Sequence, residues 1–425
     1  VNATLTHWKI EANQAFVWLR YDRKWHDIST KQPAQLTIIL KVQFVKEGSD
    51  WKFWQMSRAV SDFATRLGSA KTKDERAKLL KTEKELVTVE LVVELSNMGV
   101  MQATQGKFNE ALTLNDVSFE VAEVLGEITG KAYCYLTRGD IFDRQSKHLE
   151  ALTNYQRALH LFQDAKDIRW EALTLSRLGQ IYAVTSKYAE ALVQFDASLK
   201  IRHEIGDRKG EATTLNNIGV VYQLTGRNAE ALTQYEASLN IMREIGDRAG
   251  EAATLNNIGN IHQIMGKPVE ARAKFDASLK IKREIGDRAG EADTFSNIGV
   301  IYKSTGRYAE ALVQYDASLK IDREIGNKAG EAKMLNNIGN VYQITGKYAE
   351  ALAQYEASLT IKREIGDRAG EAATLTSIGL VFESTGRYAE ALTQYEASLK
   401  INRTIGDREG EAATLNNIGN IYRLT

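Results

Sequence analysis

From Val92 onward, apolar residues recur at helical rather than strand spacing, and the same arrangement returns every 40 residues. In the stretch that begins at Ala212, residues Leu215, Ile218, Gly219 and Tyr222 fall at i, i+3, i+4 and i+7, the stripe of a helix with one buried face. Thr225-Gly226-Arg227 interrupts it. A second stripe follows, with Ala231, Leu232, Tyr235 and Leu239 inward, and it closes at Ile245-Gly246, where glycine suits the left-handed conformation past a helix C-terminus. Asp247 then stands as N-cap of the next helix, with Glu251 in its first turn, where the helix dipole favours an acid. Each stretch therefore predicts two helices joined by glycine turns.

The register is strict. Ile-Gly-Asp-Arg recurs at Ile205, Ile245, Ile285, Ile365 and Ile405, and Ile325-Gly326-Asn327-Lys328 fills the remaining slot. Mid-helix glycines align from Gly99 through Gly139, Gly179, Gly219, Gly259, Gly299, Gly339 and Gly379 to Gly419. A glycine inside a helix costs roughly 0.5–1 kcal/mol relative to alanine, so a whole column of them calls for close packing. Gly219 and Ala231 are expected to let the two helices approach, with Tyr222 and Tyr235 filling the space above and below. Eight full units run over residues 92–411, and residues 412–425 are the first helix of a truncated ninth.

Residues 1–58 differ in kind. Gln35 to Lys46 alternates with period two, Glu47-Gly48-Ser49-Asp50 reads as a hairpin turn into Trp51 to Ser57, and Ala15 to Tyr21 reads as another strand. Five of the six tryptophans lie here. Residues 59–91 return to helices, with Thr72 and Glu75 spaced as a capping box. The expected fold class is an all-α solenoid of helical hairpins preceded by a small α+β segment with an antiparallel sheet.

Leu215-x2-Ile218-Gly219-x2-Tyr222 followed by Ala231-x3-Tyr235-x2-Ser238 resembles the tetratricopeptide repeat signature, with Leu215 at the usual Trp position and Arg243 where the family often has Pro. The usual period is 34. The additional Gly-Asp-Arg-x-Gly-Glu block makes these units similar to the 40-residue variety of kinesin light chain, spindle-orientation adaptors and bacterial arrays. The resemblance implies a right-handed superhelix whose first helices line a concave channel and bind extended peptides. The Trp-containing N-terminal hairpin resembles the last strands of a SnoaL-like or nuclear-transport-factor-like cone, here without the early helices of such a cone.

The side of the first helix opposite the apolar stripe is rich in amides. Asn216 and Asn217 recur as Asn256 and Asn257, Asn336 and Asn337, and Asn416 and Asn417, with Asn297 in an intervening unit. One turn on stand Asn260, Asn340 and Asn420, and a further turn along Gln223, Gln263 and Gln343. An amide both donates and accepts, so a regular row can pair with the backbone of an extended chain whatever its sequence. The row resembles the asparagine ladder of tetratricopeptide superhelices most closely at Asn217, Asn257, Asn297, Asn337 and Asn417. The competing reading is that these side chains bind neighbouring helices. Asp293, Lys333, Lys303, Glu383 and Arg423 break the amide monotony and are the candidates for side-chain specificity.

Composition narrows the function further. The 425 residues carry 55 Lys+Arg against 55 Asp+Glu, one cysteine and two prolines. Zero net charge and near-balanced units argue against nucleic acid, and no apolar run reaches the roughly 18 residues of a membrane span. The basic-looking Lys280 to Glu284 segment and its repeats are expected on the outer surface beside acids. Six scattered histidines form no metal or catalytic motif, the recurrent Gly-Asp-Arg-x-Gly lacks the Lys-Ser/Thr of a phosphate loop, and Cys134 reads as a small core residue. The expectation is a non-enzymatic, cofactor-free, cytoplasmic scaffold that binds a protein or extended peptide, with self-association through the terminal repeat. The alternative is the regulatory arm of a larger bacterial enzyme, such as a caspase-like protease or signalling ATPase, with its catalytic domain beyond the C-terminus.

Overall fold

The computed structural model describes residues 2–11, 14–26, 33–47 and 50–424, with side chains described from Ala59 onward. The backbone first forms four strands, β1 (Asn2–Glu11), β2 (Gln14–His26), β3 (Pro33–Glu47) and β4 (Asp50–Arg58), paired antiparallel in chain order. Gly48 and Ser49 of the expected turn, and the side chains of the tryptophans there, lie outside the described residues. Nineteen α-helices follow among the described residues, from α1 (Ala59–Ser69) to α19 (Arg408–Leu424). The chain divides into two compact units, Val1–Ile241 and Met242–Thr425.

In the first unit, Thr72 caps α2 (Lys73–Thr82) through the expected reciprocal capping box with Glu75. Arg76 reaches from α2 to Glu120 on α4 (Phe108–Leu125), an ion pair that holds the connecting helices against the first hairpin. Phe63, Leu67, Leu91, Leu95, Val121 and Cys134 share one core. The Cys134 sulfur lies 3.2 Å from the Ser118 hydroxyl, and burial pushes its thiol up to about 11, so it is a packed core group as its helix position implied.

The second unit shows how each hairpin closes. Its first helices are α11 (Arg248–Ile264), α13 (Arg288–Ser304), α15 (Lys328–Ile344), α17 (Arg368–Ser384) and α19; its complete second helices are α12 (Pro268–Glu284), α14 (Tyr308–Glu324), α16 (Tyr348–Glu364) and α18 (Tyr388–Ile405). In the complete hairpins of this unit the mid-helix glycine lies against the aromatic ring of the second helix. A Cβ on Gly299 would stand 2.5 Å from Cε1 of Tyr315, closer than any real contact, so the glycine is the floor of the ring's seat. Beside it the Ser318 hydroxyl donates to the Ala292 carbonyl at 2.8 Å, a buried bond repeated by Ser278 and Ser358.

The glycine-aspartate block makes the link between hairpins. Gly246 turns with φ +71°, and Asp247 accepts from the Gly250 N–H at 2.9 Å, the cap read from the sequence. Arg243, standing where the family often has Pro, reaches Glu251 at 2.8 Å, and Arg283, Arg323, Arg363 and Arg403 repeat that pair with the next acid along. One expectation for this region is corrected. Lys282, taken as part of an outward basic segment, is only 7% exposed, and its ammonium donates to the Gly290 carbonyl and the Thr294 hydroxyl, both at 3.0 Å. Lys362 does the same. Their place in the helix falls on the seam with the following helix, where the long apolar stem is worth burying and two acceptors replace water.

Candidate functional site

The first helices stand side by side. The Asn297 amide donates to the Asn256 side-chain oxygen at 3.3 Å across α13 and α11, and the Thr374 hydroxyl donates to that of Asn336 at 3.2 Å across α17 and α15. Along each of these helices the candidate residues run from one end to the other. Ala253, Asp293, Lys333 and Ala373 are exposed near the N-terminal end, whereas Asn256, Asn257, Asn297, Asn336 and Asn337 are half-buried. Asn260, Val300, Asn340 and Leu380 come next, followed by Gln263, Lys303, Gln343 and Glu383, all half-buried. In α19, Asn416 is exposed while Asn417 and Asn420 are half-buried. In the first unit, Asn216, Asn217 and Gln223 of α9 (Arg208–Leu224) are half-buried too, and the Asn217 amide nitrogen is buried without a partner.

Much of this amide capacity is already used by the fold. The Tyr355 hydroxyl on α16 lies 2.7 Å from the Asn340 side-chain oxygen and 2.8 Å from that of Gln343 on α15, which share its one proton. Tyr235 donates to Gln223 at 3.0 Å in the first unit, and Tyr395 donates to the Glu383 carboxylate at 2.7 Å. A buried phenol needs an acceptor, and the amide or acid of the first helix supplies it. Asn256 and Asn336 are likewise acceptors for neighbouring helices. The row is thus a mixture of structural bonds and open groups.

The open groups are set by the second helix. At the position of Tyr355, helix α12 carries Phe275, which has no hydroxyl, and among the described residues no hydrogen bond engages the side chain of Asn260 or Gln263. In α14 the reverse holds. The Tyr315 hydroxyl is buried without a partner, because the facing positions on α13 are Val300 and Lys303, neither of which can accept. Burial pushes this phenol up to about 12, so it keeps its proton at neutral pH and remains a donor. These aromatic residues were not read as site residues from the sequence. The signal that could have found them is the column Tyr235, Phe275, Tyr315, Tyr355 and Tyr395, with its single Phe, set against the residues 15 and 12 positions earlier.

Among the described residues, no group of three His, Cys, Asp or Glu side chains is placed to hold a metal ion, and no helix is long and apolar enough to cross a membrane. The family model described as tetratricopeptide repeat matches residues 170–244, 250–324 and 330–404, together more than half of the chain. No curated protein sequence matches. Among solved structures, the chain is similar to the apo quorum sensor NprR from B. thuringiensis, at 16% identity and TM-score 0.58, over 80% of this chain and 97% of that one. It is also similar to a signal transduction ATPase with a tetratricopeptide repeat sensor from Pyrococcus horikoshii, at 15% identity and TM-score 0.57, over 87% of this chain and 59% of that one. The apo form of RapI matches at 14% identity and TM-score 0.52, over 65% of this chain and 99% of that one.

Proposed function

Because this chain belongs to the tetratricopeptide repeat family, we propose that it is a binding scaffold that takes an extended protein segment along the row of its first helices. Residues 92–411 serve in this reading as eight copies of one binding element. The observation that carries it is the surplus of hydrogen-bonding side chains: the half-buried side-chain amides of Asn260, Gln263 and Asn337 make no hydrogen bond to another described residue, beyond what the hairpins need. Asparagine is a poor interior helix former, so its repetition at open positions costs stability that packing does not return. A main chain laid across these amides offers alternating N–H and C=O groups that match them.

The test is a displayed library of random decapeptides panned against the protein, with fluorescence anisotropy on the enriched sequences. Replacing Asn260, Gln263 and Asn337 with Ala together removes three bonds of about 0.5–1.5 kcal/mol each, a weakening of about tenfold or more. The thermal melt should stay near that of the parent. Enrichment of no peptide, or full affinity in the triple variant, overturns the reading.

A further inference from the structure

The capacity left open in the second unit is concentrated on two adjacent helices, α11 and α13. Helix α11 presents Asn260 and Gln263 opposite a phenylalanine, and α13 presents Val300 and Lys303 opposite a tyrosine. That tyrosine, Tyr315, is fully buried with its hydroxyl unpaired, while every other tyrosine at this position finds an oxygen on its own hairpin, from Tyr155 with Asp140 to Tyr395 with Glu383. Nor is Lys303 joined in an ion pair to any described acid.

We propose that this place holds one acidic side chain of the bound peptide, its carboxylate accepting from the Tyr315 hydroxyl and the Lys303 ammonium, with Asn260 and Gln263 holding the adjoining main chain. This rests on the peptide-binding reading above. Helix α17 shows what the seat fits: at the position of Lys303 it carries Glu383, and that carboxylate lies 2.7 Å from the Tyr395 hydroxyl. There the protein supplies its own carboxylate. In α13 the residue at that point is a cation, so the carboxylate comes from outside. Two charge-assisted donors on one acceptor make a carboxylate a better occupant than a neutral carbonyl. Asp293 on the same helix does not cancel Lys303, because ten residues of helix separate them by about 15 Å along the axis. The half-buried Lys303 stem has the rotational freedom to admit the ligand group and then close on it.

The test uses three immobilised pools of otherwise random decapeptides whose fixed central residue is Glu, Gln or Lys. The whole chain should be retained by the Glu pool at least about fivefold more than by the Gln pool, and least by the Lys pool. Lys303→Glu should reverse the order of the Glu and Lys pools. Tyr315→Phe should shrink the Glu-to-Gln ratio severalfold while the protein still folds, since phenylalanine already stands at the same position in α12 as Phe275. Equal retention by the Glu and Gln pools, or a ratio unmoved by both substitutions, overturns this assignment and leaves the peptide track standing. Retention by no pool overturns both.

Discussion

The unit that carries Ile325-Gly326-Asn327-Lys328 in place of Ile-Gly-Asp-Arg offers a sharp test of how the hairpins are joined. In most of the other units an Asp caps the helix, and the buried position five residues earlier is Arg202, Met242, Lys282, Lys362 or Asn402. In this unit the cap is Asn327 and the buried residue is Asp322. Asn327 accepts from the Gly330 N–H at 3.1 Å and donates to Asp322 at 2.7 Å, so it caps with its oxygen and pairs with its nitrogen. Asn327→Asp keeps the cap, which Asp fills about as well as Asn. It removes the donor and sets a second carboxylate against one that is 3% exposed. A hydrogen bond to a charged group is worth about 1.5–3 kcal/mol, and the facing charges add to its loss, so the expected destabilisation is about 2–4 kcal/mol at pH 8.

Burial, ahead of every other influence, already holds the Asp322 carboxyl above the usual carboxylate range. Its folded form therefore binds a proton more tightly than its unfolded form, and that contribution to stability is present at low pH and is lost as pH rises through the raised value. The deficit of Asn327→Asp should accordingly be small near pH 4 and grow toward pH 8. Adding Asp322→Lys and Met334→Thr recreates the Lys282, Asp287 and Thr294 arrangement and should recover most of the loss. Urea denaturation followed by circular dichroism gives the totals, and hydrogen exchange of the α15 amides gives the local effect. A cost under about 0.5 kcal/mol at pH 8, or no recovery in the triple variant, would refute the reasoning.

Further expectations bear on packing and on buried charge. Gly299→Ala should cost about 1–3 kcal/mol in a urea melt, because its Cβ meets the Tyr315 ring at 2.5 Å, whereas Gly419→Ala should gain about 0.5–1 kcal/mol, since nothing lies within 4 Å of its position. Burial lowers the Lys282 ammonium from its ordinary 10.5, so the folded state sheds its proton first and gains relative stability as pH rises between the lowered value and 10.5. Lys282→Met, which copies Met242, should be neutral or stabilising at pH 7, and its advantage should shrink through that alkaline window in paired melts.

The repeat period, the hairpin ends and the caps were legible in the sequence because each is a local matter. A cap such as Asp247 bonds three residues ahead, a turn such as Gly246 needs only its own dihedral, and the apolar stripe repeats within a single helix. Lys282 was misplaced for the opposite reason: its surroundings belong to the following helix, and a lysine at a seam looks like a lysine at a surface until that helix is in place.

The amide row divides along the same line. Its existence followed from the sequence, since residues spaced 40 apart in identical helices occupy identical faces. Which amides are spent was decided across the hairpin, by whether the opposing residue is a tyrosine whose hydroxyl must be satisfied, as at Tyr355, or a phenylalanine that asks for nothing, as at Phe275. A helix face is fixed by the geometry of one chain segment. The free valence of a polar group on that face is fixed only when the second helix has folded against it, because a buried donor takes whichever acceptor the packing brings within 3 Å.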